Sequence, residues 1–269
     1  MASDIKNGRT PHGTAFDLTG PKEAPVIALI HGLGLCRRLW QPHLPALEKN
    51  LRVLNYDLFG HGESIPVPQK ASLTLYAKQL SDLMNHLKIK KISIVGFSIG
   101  GMINRRFAMD YPNKISSLVI LNSPHDRGEE AQAQVEERAR RVREQGAEAT
   151  LPDALKRWFT PSFLEANEGA NLVRKWRQQV DPESYAQAAW VLANGVRELI
   201  KPTHPIAVPT LIMTCENDSG STPKMSFDIA EEIQGSETMI IPKLQHLGLM
   251  ENPEAFTQPI QNFFERHKK

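Results

Sequence analysis

The sequence predicts an α/β fold: a mostly parallel central sheet flanked by helices, with a helical cap inserted. Three observations predict it. Short, almost wholly apolar runs recur along the chain, as strands covered on both faces require. Helical patterns fall between most of these runs, which gives an open sheet with right-handed crossovers. One long stretch, residues 124–208, carries no strong strand signal and breaks the alternation.

The first apolar run is residues 26–30, ending at His31-Gly32, and the second is residues 51–56, ending at Asp57. Further runs span Ile92 to Phe97, Leu118 to Leu121, Thr210 to Met213 and Thr238 to Ile241. Between them, Ser72 stands as a cap before Tyr76, Leu80, Leu83 and Leu87, which recur at helical spacing. Gly101 to Tyr111 reads as a helix closed by Pro112. Thr222-Pro223 and Asn252-Pro253 each pair an N-cap with proline at the first helical position. The last helix carries Phe256, Ile260 and Phe263-Phe264.

The insertion opens with a charged run, Glu129 to Glu148, whose thin apolar stripe is Ala131, Val135, Ala139 and Val142. It reads as a solvated helix resting on its neighbours. The stretch continues through Trp158, Trp176 and Trp190 to Pro202, Pro205 and Pro209. The expected organisation is a core of residues 1–123 and 209–269 and a cap of residues 124–208. The cap is expected over the C-terminal edge of the sheet, where open α/β sheets bind ligands.

Composition narrows the function classes. The 269 residues are 41% hydrophobic and 23% charged, with a net charge of +2. That is ordinary globular composition, and the charge is too slight to argue for a nucleic-acid partner. The two cysteines, Cys36 and Cys215, lack C-x-x-C spacing, so neither a disulfide framework nor a zinc site is expected. Met1 to Lys6 lack the apolar centre of a signal peptide, and no apolar run approaches the ~20 residues of a membrane span. The expectation is a cytoplasmic protein with no membrane or nucleic-acid partner. Oligomeric state stays open, a homodimer included.

The chemistry centres on Gly96-Phe97-Ser98-Ile99-Gly100, directly after an apolar run and directly before a helical pattern. A strand turning sharply into a helix exposes one serine hydroxyl above the sheet. Serine needs a base within hydrogen-bond reach, and the base needs an orienting group. His246, in the loop after the last strand, returns to the same sheet edge and is the candidate base. For the acid, Asp218 follows the Thr210 run, with Asp126 and Glu216 as rivals. Oxyanion donors are expected from the Ile99 N–H and from the Leu33 N–H in His31-Gly32-Leu33-Gly34. His31 reads as structural. So does the block Asp57 to Ser64, whose two glycines, aspartate and serine suit a hydrogen-bonded turn. Arg37-Arg38 reads as a solvated helix start, with attraction of an anionic substrate as its alternative.

Together these blocks resemble the α/β-hydrolase superfamily: the His31-Gly32 loop, Asp57 with Gly60-His61-Gly62-Glu63-Ser64, the elbow at Ser98, the acid loop at Asp218 and the histidine loop at His246. The resemblance covers nearly the whole chain. It implies the α/β-hydrolase fold, a triad of Ser98, Asp218 and His246, no metal and no organic cofactor. Haloalkane dehalogenases and epoxide hydrolases carry aspartate at the elbow, so Ser98 sets them aside. Cofactor-free haloperoxidases usually carry tryptophan where Phe97 stands. Leu155 to Pro161 and Arg105 to Ala108 are similar to the 3-oxoadipate enol-lactonase-like and carboxylesterase group. Within that resemblance Arg157 and Trp158 become substrate-binding candidates. The implied activity is hydrolysis of a small-molecule ester or lactone. A carbon–carbon bond hydrolase and a hydrolase-like ligand receptor are the alternatives.

Overall fold

The computed structural model describes residues 6–267. Its sheet has eight strands in the order β1-β2-β4-β3-β5-β6-β7-β8. Along the chain these are β1 (Lys6–Arg9), β2 (Ala15–Thr19), β3 (Val26–Ile30), β4 (Arg52–Tyr56), β5 (Ile92–Phe97), β6 (Ile115–Leu121), β7 (Thr210–Cys215) and β8 (Glu237–Ile241). Every pairing from β4 across to β8 is parallel, while β1 with β2 and β2 with β4 are antiparallel.

The six expected strands are present, and β1 and β2 are additional. Their absence from the sequence reading has a physical cause. β1 is Lys-Asn-Gly-Arg, exposed throughout, and contributes backbone pairing rather than apolar surface. β2 packs alternate side chains, Phe16 and Leu18, into the core, with only the small Ala15 buried beside them. It zips onto β4 through Phe16↔Tyr56 and Leu18↔Leu54.

The inner strands read as apolar runs because both faces are covered. Ala28 and Ile30 of β3 face one apolar layer with Leu54, Ile94 and Ile120, whereas Ile27 and Leu29 face a second layer with Val53, Val95, Val119 and Leu211. The helices supply the covers. They are α1 (Leu44–Leu47), α2 (Leu73–Leu87) and α3 (Ile99–Asp110), then α4 (Gly128–Gln145), α5 (Leu151–Trp158), α6 (Pro161–Ala166), α7 (Glu168–Gln178) and α8 (Pro182–Asn194), and finally α9 (Pro223–Glu232), α10 (Gly248–Glu251) and α11 (Pro253–Arg266). Helices α2 and α3 pack on the first layer through Leu80, Met84, Ile103 and Phe107. Helix α11 packs on the second through Phe256, Ile260 and Phe263. Each such aromatic or aliphatic side chain contributes roughly 1.5–3 kcal/mol by leaving water.

The predicted caps are formed. Ser72 Oγ accepts the Leu75 N–H at 3.1 Å, Thr222 Oγ1 the Met225 N–H at 3.4 Å, and Asn252 Oδ1 the Ala255 N–H at 3.2 Å. Among the described residues no strand lies between Leu121 and Thr210, and α4 to α8 fill that interval. The charged helix α4 rests on α8: Ala139 and Val142 are buried against Tyr185, Ala186 and Ala189. Its apolar stripe begins at Val135, because Ala131 is exposed. No helix of the described residues is long and apolar enough to cross a membrane.

Registers such as Ile30↔Gly96, Phe97↔Leu121 and Cys215↔Ile241 bring the C-terminal ends of the parallel strands to one edge. The chain leaves β3 for β4 on one side, then returns to place β5 on the other. The β3 and β5 loops therefore flank the switch point where such sheets bind ligands.

One expectation is corrected beside that edge. Arg37 is not a solvated helix start. Its guanidinium pairs with Asp57, with Asp17 at 2.7 Å and with Glu63 at 2.8 Å. Asp57 is wholly buried and also accepts the Arg37 N–H at 2.7 Å and the Glu63 N–H at 2.9 Å. Gly62, at φ +52°, leaves room for that carboxylate, since a β-carbon there would strike it. Removing one partner of a buried ion pair leaves the other desolvated. Asp57→Ala is therefore expected to lower the unfolding free energy by about 3 kcal/mol, measured by urea titration. An unchanged midpoint would show that Asp17 and Glu63 alone hold Arg37.

Candidate active site

The chain turns from β5 into α3 at Ser98, whose φ of 57° lies in the left-handed region that non-glycine residues avoid. Its conformation is held from both sides. The Ser98 N–H donates to the Leu121 carbonyl at 2.8 Å, and the Ser98 carbonyl accepts from the Gly101 N–H at 2.9 Å. Glycine is required around the turn: a β-carbon at Gly96 would meet the Gly100 carbonyl, and one at Gly100 the Ile30 carbonyl. Ser98 is thereby pressed to the C-terminal edge with its hydroxyl facing a pocket.

His246 and Asp218 come to the same point. His246 Nε2 lies 3.2 Å from Ser98 Oγ, and His246 Nδ1 lies 2.6 Å from Asp218 Oδ2. The Asp218 carboxylate is 2% exposed and fully engaged. Its Oδ1 accepts the Gly220 and Ser221 N–H groups at 2.9 Å each, and its Oδ2 accepts Asn122 Nδ2 at 2.9 Å. Burial pushes its pKa up, but the charge and hydrogen bond of His246, with Asn122 and the Ser221 N–H, hold it below the usual carboxylate value. The rival acids are elsewhere. Asp126 is exposed and accepts the Gly128 N–H at 3.0 Å, and Glu216 is exposed and accepts the Lys243 N–H at 2.8 Å.

The histidine loop is clamped to the interval of helices. The Leu247 N–H donates to the Trp158 carbonyl at 2.8 Å, and Glu251 accepts from the Thr160 N–H at 2.8 Å and hydroxyl at 2.6 Å. The imidazole stands between two aromatic rings, Phe97 at 5.0 Å and Trp158 at 6.0 Å.

The two expected oxyanion positions border the serine. Ile99 opens α3, where the first N–H groups lack intrahelical acceptors. Leu33 lines the pocket between Gly32 and Gly34. Two buried histidines shape that loop. His61 Nε2 accepts the Gly34 N–H at 3.1 Å while His61 Nδ1 faces the Phe59 carbonyl at 3.0 Å. His31 Nε2 accepts the Leu58 N–H at 3.0 Å while its Nδ1 faces the Gly32 carbonyl at 2.8 Å. Nitrogens that accept backbone N–H groups are unprotonated, so both rings are neutral. Burial drops His31 to about 4 and His61 to about 3, the latter helped down by His31.

The pocket is a cavity of about 150 Å³ between this edge and the helices of residues 124–208. Arg157 and Trp158, both half-buried on α5, line it as the sequence suggests. Sequence reasoning missed three other contributors. Asn122, at φ 45° after β6, reaches Asp218; an asparagine just past a strand was its only signal. Arg138 of α4 and Arg177 of α7 also line the pocket, and in the sequence each is one arginine in a charged run. Among the described residues no group of three or more His, Cys, Asp or Glu is placed to hold a metal ion.

Comparison with known proteins identifies the family. The alpha/beta hydrolase fold family matches residues 25–253. The (E)-2-((N-methylformamido)methylene)succinate hydrolase of Acinetobacter baylyi is 25% identical over 97% of this chain and 96% of its own. The 3-oxoadipate enol-lactonase 1 of the same organism is 29% identical over 93% of this chain and 92% of its own. Among solved structures, the enol-lactonase from Burkholderia xenovorans LB400 aligns with a TM-score of 0.86 at 25% identity, covering 97% of this chain and all of that one.

The depressed Asp218 pKa has a consequence for stability. The ionised carboxylate stabilises the fold fully above the ordinary value of 3.8. That contribution fades as pH falls through the lower native value. Asp218→Asn is therefore expected to cost most stability near neutrality and progressively less in acid. Urea unfolding of both proteins from pH 7 to pH 3 measures this, and a pH-independent difference would contradict it.

Proposed function

The chain belongs to the α/β-hydrolase family, and from that premise we propose that it cleaves a carboxylic ester or lactone of a small molecule through a Ser98-His246-Asp218 acyl-enzyme mechanism. One observation carries the reading: a continuous line of contacts from Asp218 to His246 to Ser98, at 2.6 and 3.2 Å, ending at the wall of a cavity. The enol-lactonase relatives support the bond type, and the cavity size supports a small substrate.

The proposed steps follow from the geometry. Ser98 Oγ attacks the carbonyl carbon as His246 Nε2 takes its proton. Asp218 keeps the imidazole's Nδ1 protonated and offsets the imidazolium charge. The Leu33 and Ile99 N–H groups receive the oxyanion, each such donor contributing roughly 2.7–4 kcal/mol. The carbon–oxygen bond breaks, and His246 passes its proton to the departing alkoxide. Water, deprotonated by the same nitrogen, attacks the acyl-enzyme. Ser98 regains its proton as the acid leaves. In this reading residues 124–208 act as the cap, Trp158 bounds the site above His246, and Arg157 faces the substrate.

Ser98→Ala is expected to lower kcat on the order of 10⁶-fold on the best substrate of a panel of short p-nitrophenyl esters, lactones and acidic enol-lactones. Retained turnover would sink the nucleophile assignment. Turnover of a dienoic ring-cleavage product, with every ester and lactone left intact, would move the reading to carbon–carbon hydrolysis.

A further inference from the structure

Asn122 is the one side chain besides His246 that hydrogen-bonds Asp218 among the described residues. The carboxylate is held at both oxygens. Its Oδ1 accepts two backbone N–H groups from its own loop, those of Gly220 and Ser221. Its Oδ2 accepts the Asn122 amide at 2.9 Å, and the same oxygen meets His246 Nδ1 at 2.6 Å. Without Asn122, only the imidazole itself would hold Oδ2.

An asparagine at this position is unfavourable in itself. Asn122 is wholly buried, its φ of 45° lies in the left-handed region, and its Oδ1 has no partner. Glycine would relieve both the backbone strain and the orphaned acceptor. What asparagine adds is the amide donor. The amide's orientation follows from its two neighbours. Thr214 Oγ1, 3.4 Å from Nδ2, donates its own proton to the Ser221 carbonyl at 2.7 Å and is left to accept. The ionised Asp218 Oδ2 can only accept.

The segment is fixed from the side of the nucleophile. The Asn122 N–H donates to the Met213 carbonyl at 2.8 Å. The next two residues are held by Arg105 of α3, itself buried. Its Nη2 donates to the Pro124 carbonyl at 2.6 Å and to Ser123 Oγ at 3.3 Å, while its Nε donates to the Gly101 carbonyl at 3.1 Å. The helix that begins beside Ser98 thus holds the segment that holds Asp218.

We propose that Asn122 is a positioning residue, whose amide keeps Asp218 Oδ2 where it aims the His246 imidazole at Ser98. This rests on the proposed triad mechanism. It adds a second connection between nucleophile and acid, running through Arg105 and Asn122 beside the one through His246.

Asn122→Gly suits the left-handed backbone and removes the amide. On the best ester or lactone its kcat is expected to fall about tenfold or more, the loss of one charge-assisted hydrogen bond, with KM within about twofold. A role confined to the turn would leave kcat unchanged, and that result would overturn the proposal. Asn122→Asp keeps the shape but sets two carboxyls side by side, which share a proton as pH falls. Burial pushes the neighbouring Cys215 thiol up to about 12, so the charges facing the introduced carboxyl are Asp218 and His246. Relative to the parent, kcat of Asn122→Asp is expected to rise about fivefold or more from pH 8 to pH 5, as the new carboxyl gains a proton to donate. A pH-independent ratio would overturn the proposal.

A readout free of turnover uses Ser98→Ala. There the His246 Nδ1 proton, in its short bond to Asp218, is expected to give a downfield proton resonance. Adding Asn122→Gly should move that resonance upfield or broaden it, and an unchanged line would again overturn the proposal. If the intact chain cleaves no ester or lactone, the hydrolysis reading falls and this resonance alone decides on Asn122. Should Asn122→Gly fail to fold, the pH series of Asn122→Asp decides.

Discussion

The reverse turn at Ser98 is the constraint on which the rest of the site depends. Holding a side-chain-bearing residue at φ 57° costs of order 1–3 kcal/mol, and it persists only where the surroundings leave no alternative. Here the surroundings are backbone. Gly96, Gly100 and Gly101 let β5, the start of α3 and the ends of β3 and β6 approach to distances that no β-carbon would permit. The Leu121 carbonyl fixes the Ser98 N–H from the neighbouring strand. The serine is thus positioned by the sheet and not by its own loop, and His246 and Asp218 need only reach a fixed point.

That dependence explains which parts of the molecule could be read from sequence. Strands β3 to β7 carry near-continuous apolar signals because helices cover both faces, and the elbow carries its glycines because nothing else fits. β1 was illegible because Lys6 to Arg9 contribute only backbone to the sheet. Ser98, Asp218 and His246 sit on loops whose places follow from strand order, and the structure brings all three together. Arg138 and Arg177 were not legible, since one arginine on a charged helix resembles another until the helices are packed. Arg37 was misread for the same reason: its partners Asp17 and Glu63 lie 20 and 26 residues away in the chain.

Two histidines illustrate how the core supports the edge. His31 and His61 lie 5.3 Å apart by ring centroid, both wholly buried. Neutral imidazole is a compact group that donates from one nitrogen and accepts at the other. Each ring uses that pair to fasten the His31–Gly34 loop to the segment after β4. The Gly34 N–H is thereby occupied, and the neighbouring Leu33 lines the pocket. The Asp57 block serves the same end from below, since Arg37 ties the next turn of that loop to β2 and β4.

Charge divides the site in a way that bears on how it would turn over. The acid beside the imidazole is held ionised by its hydrogen-bond donors, whereas the guanidiniums lining the cavity meet carbonyls and aromatic rings, as at Arg127 and Arg177, or form no ion pair among the described residues, as at Arg138 and Arg157. Hydrolysis of an anionic ester creates one further carboxylate within that cationic space. At an effective dielectric near 20, unit charges about 4 Å apart attract by about 4 kcal/mol, enough to make product departure compete with chemistry as the slow step. The half-exposure of Arg138 and Arg157 tempers this, because water and salt screen a charge at the mouth far more than one at the floor. Arg177, buried and stacked on aromatic rings, has no such screening. Of the lining arginines, Arg177 is therefore the one held in a fixed orientation, and Arg138 and Arg157 are the ones water reaches.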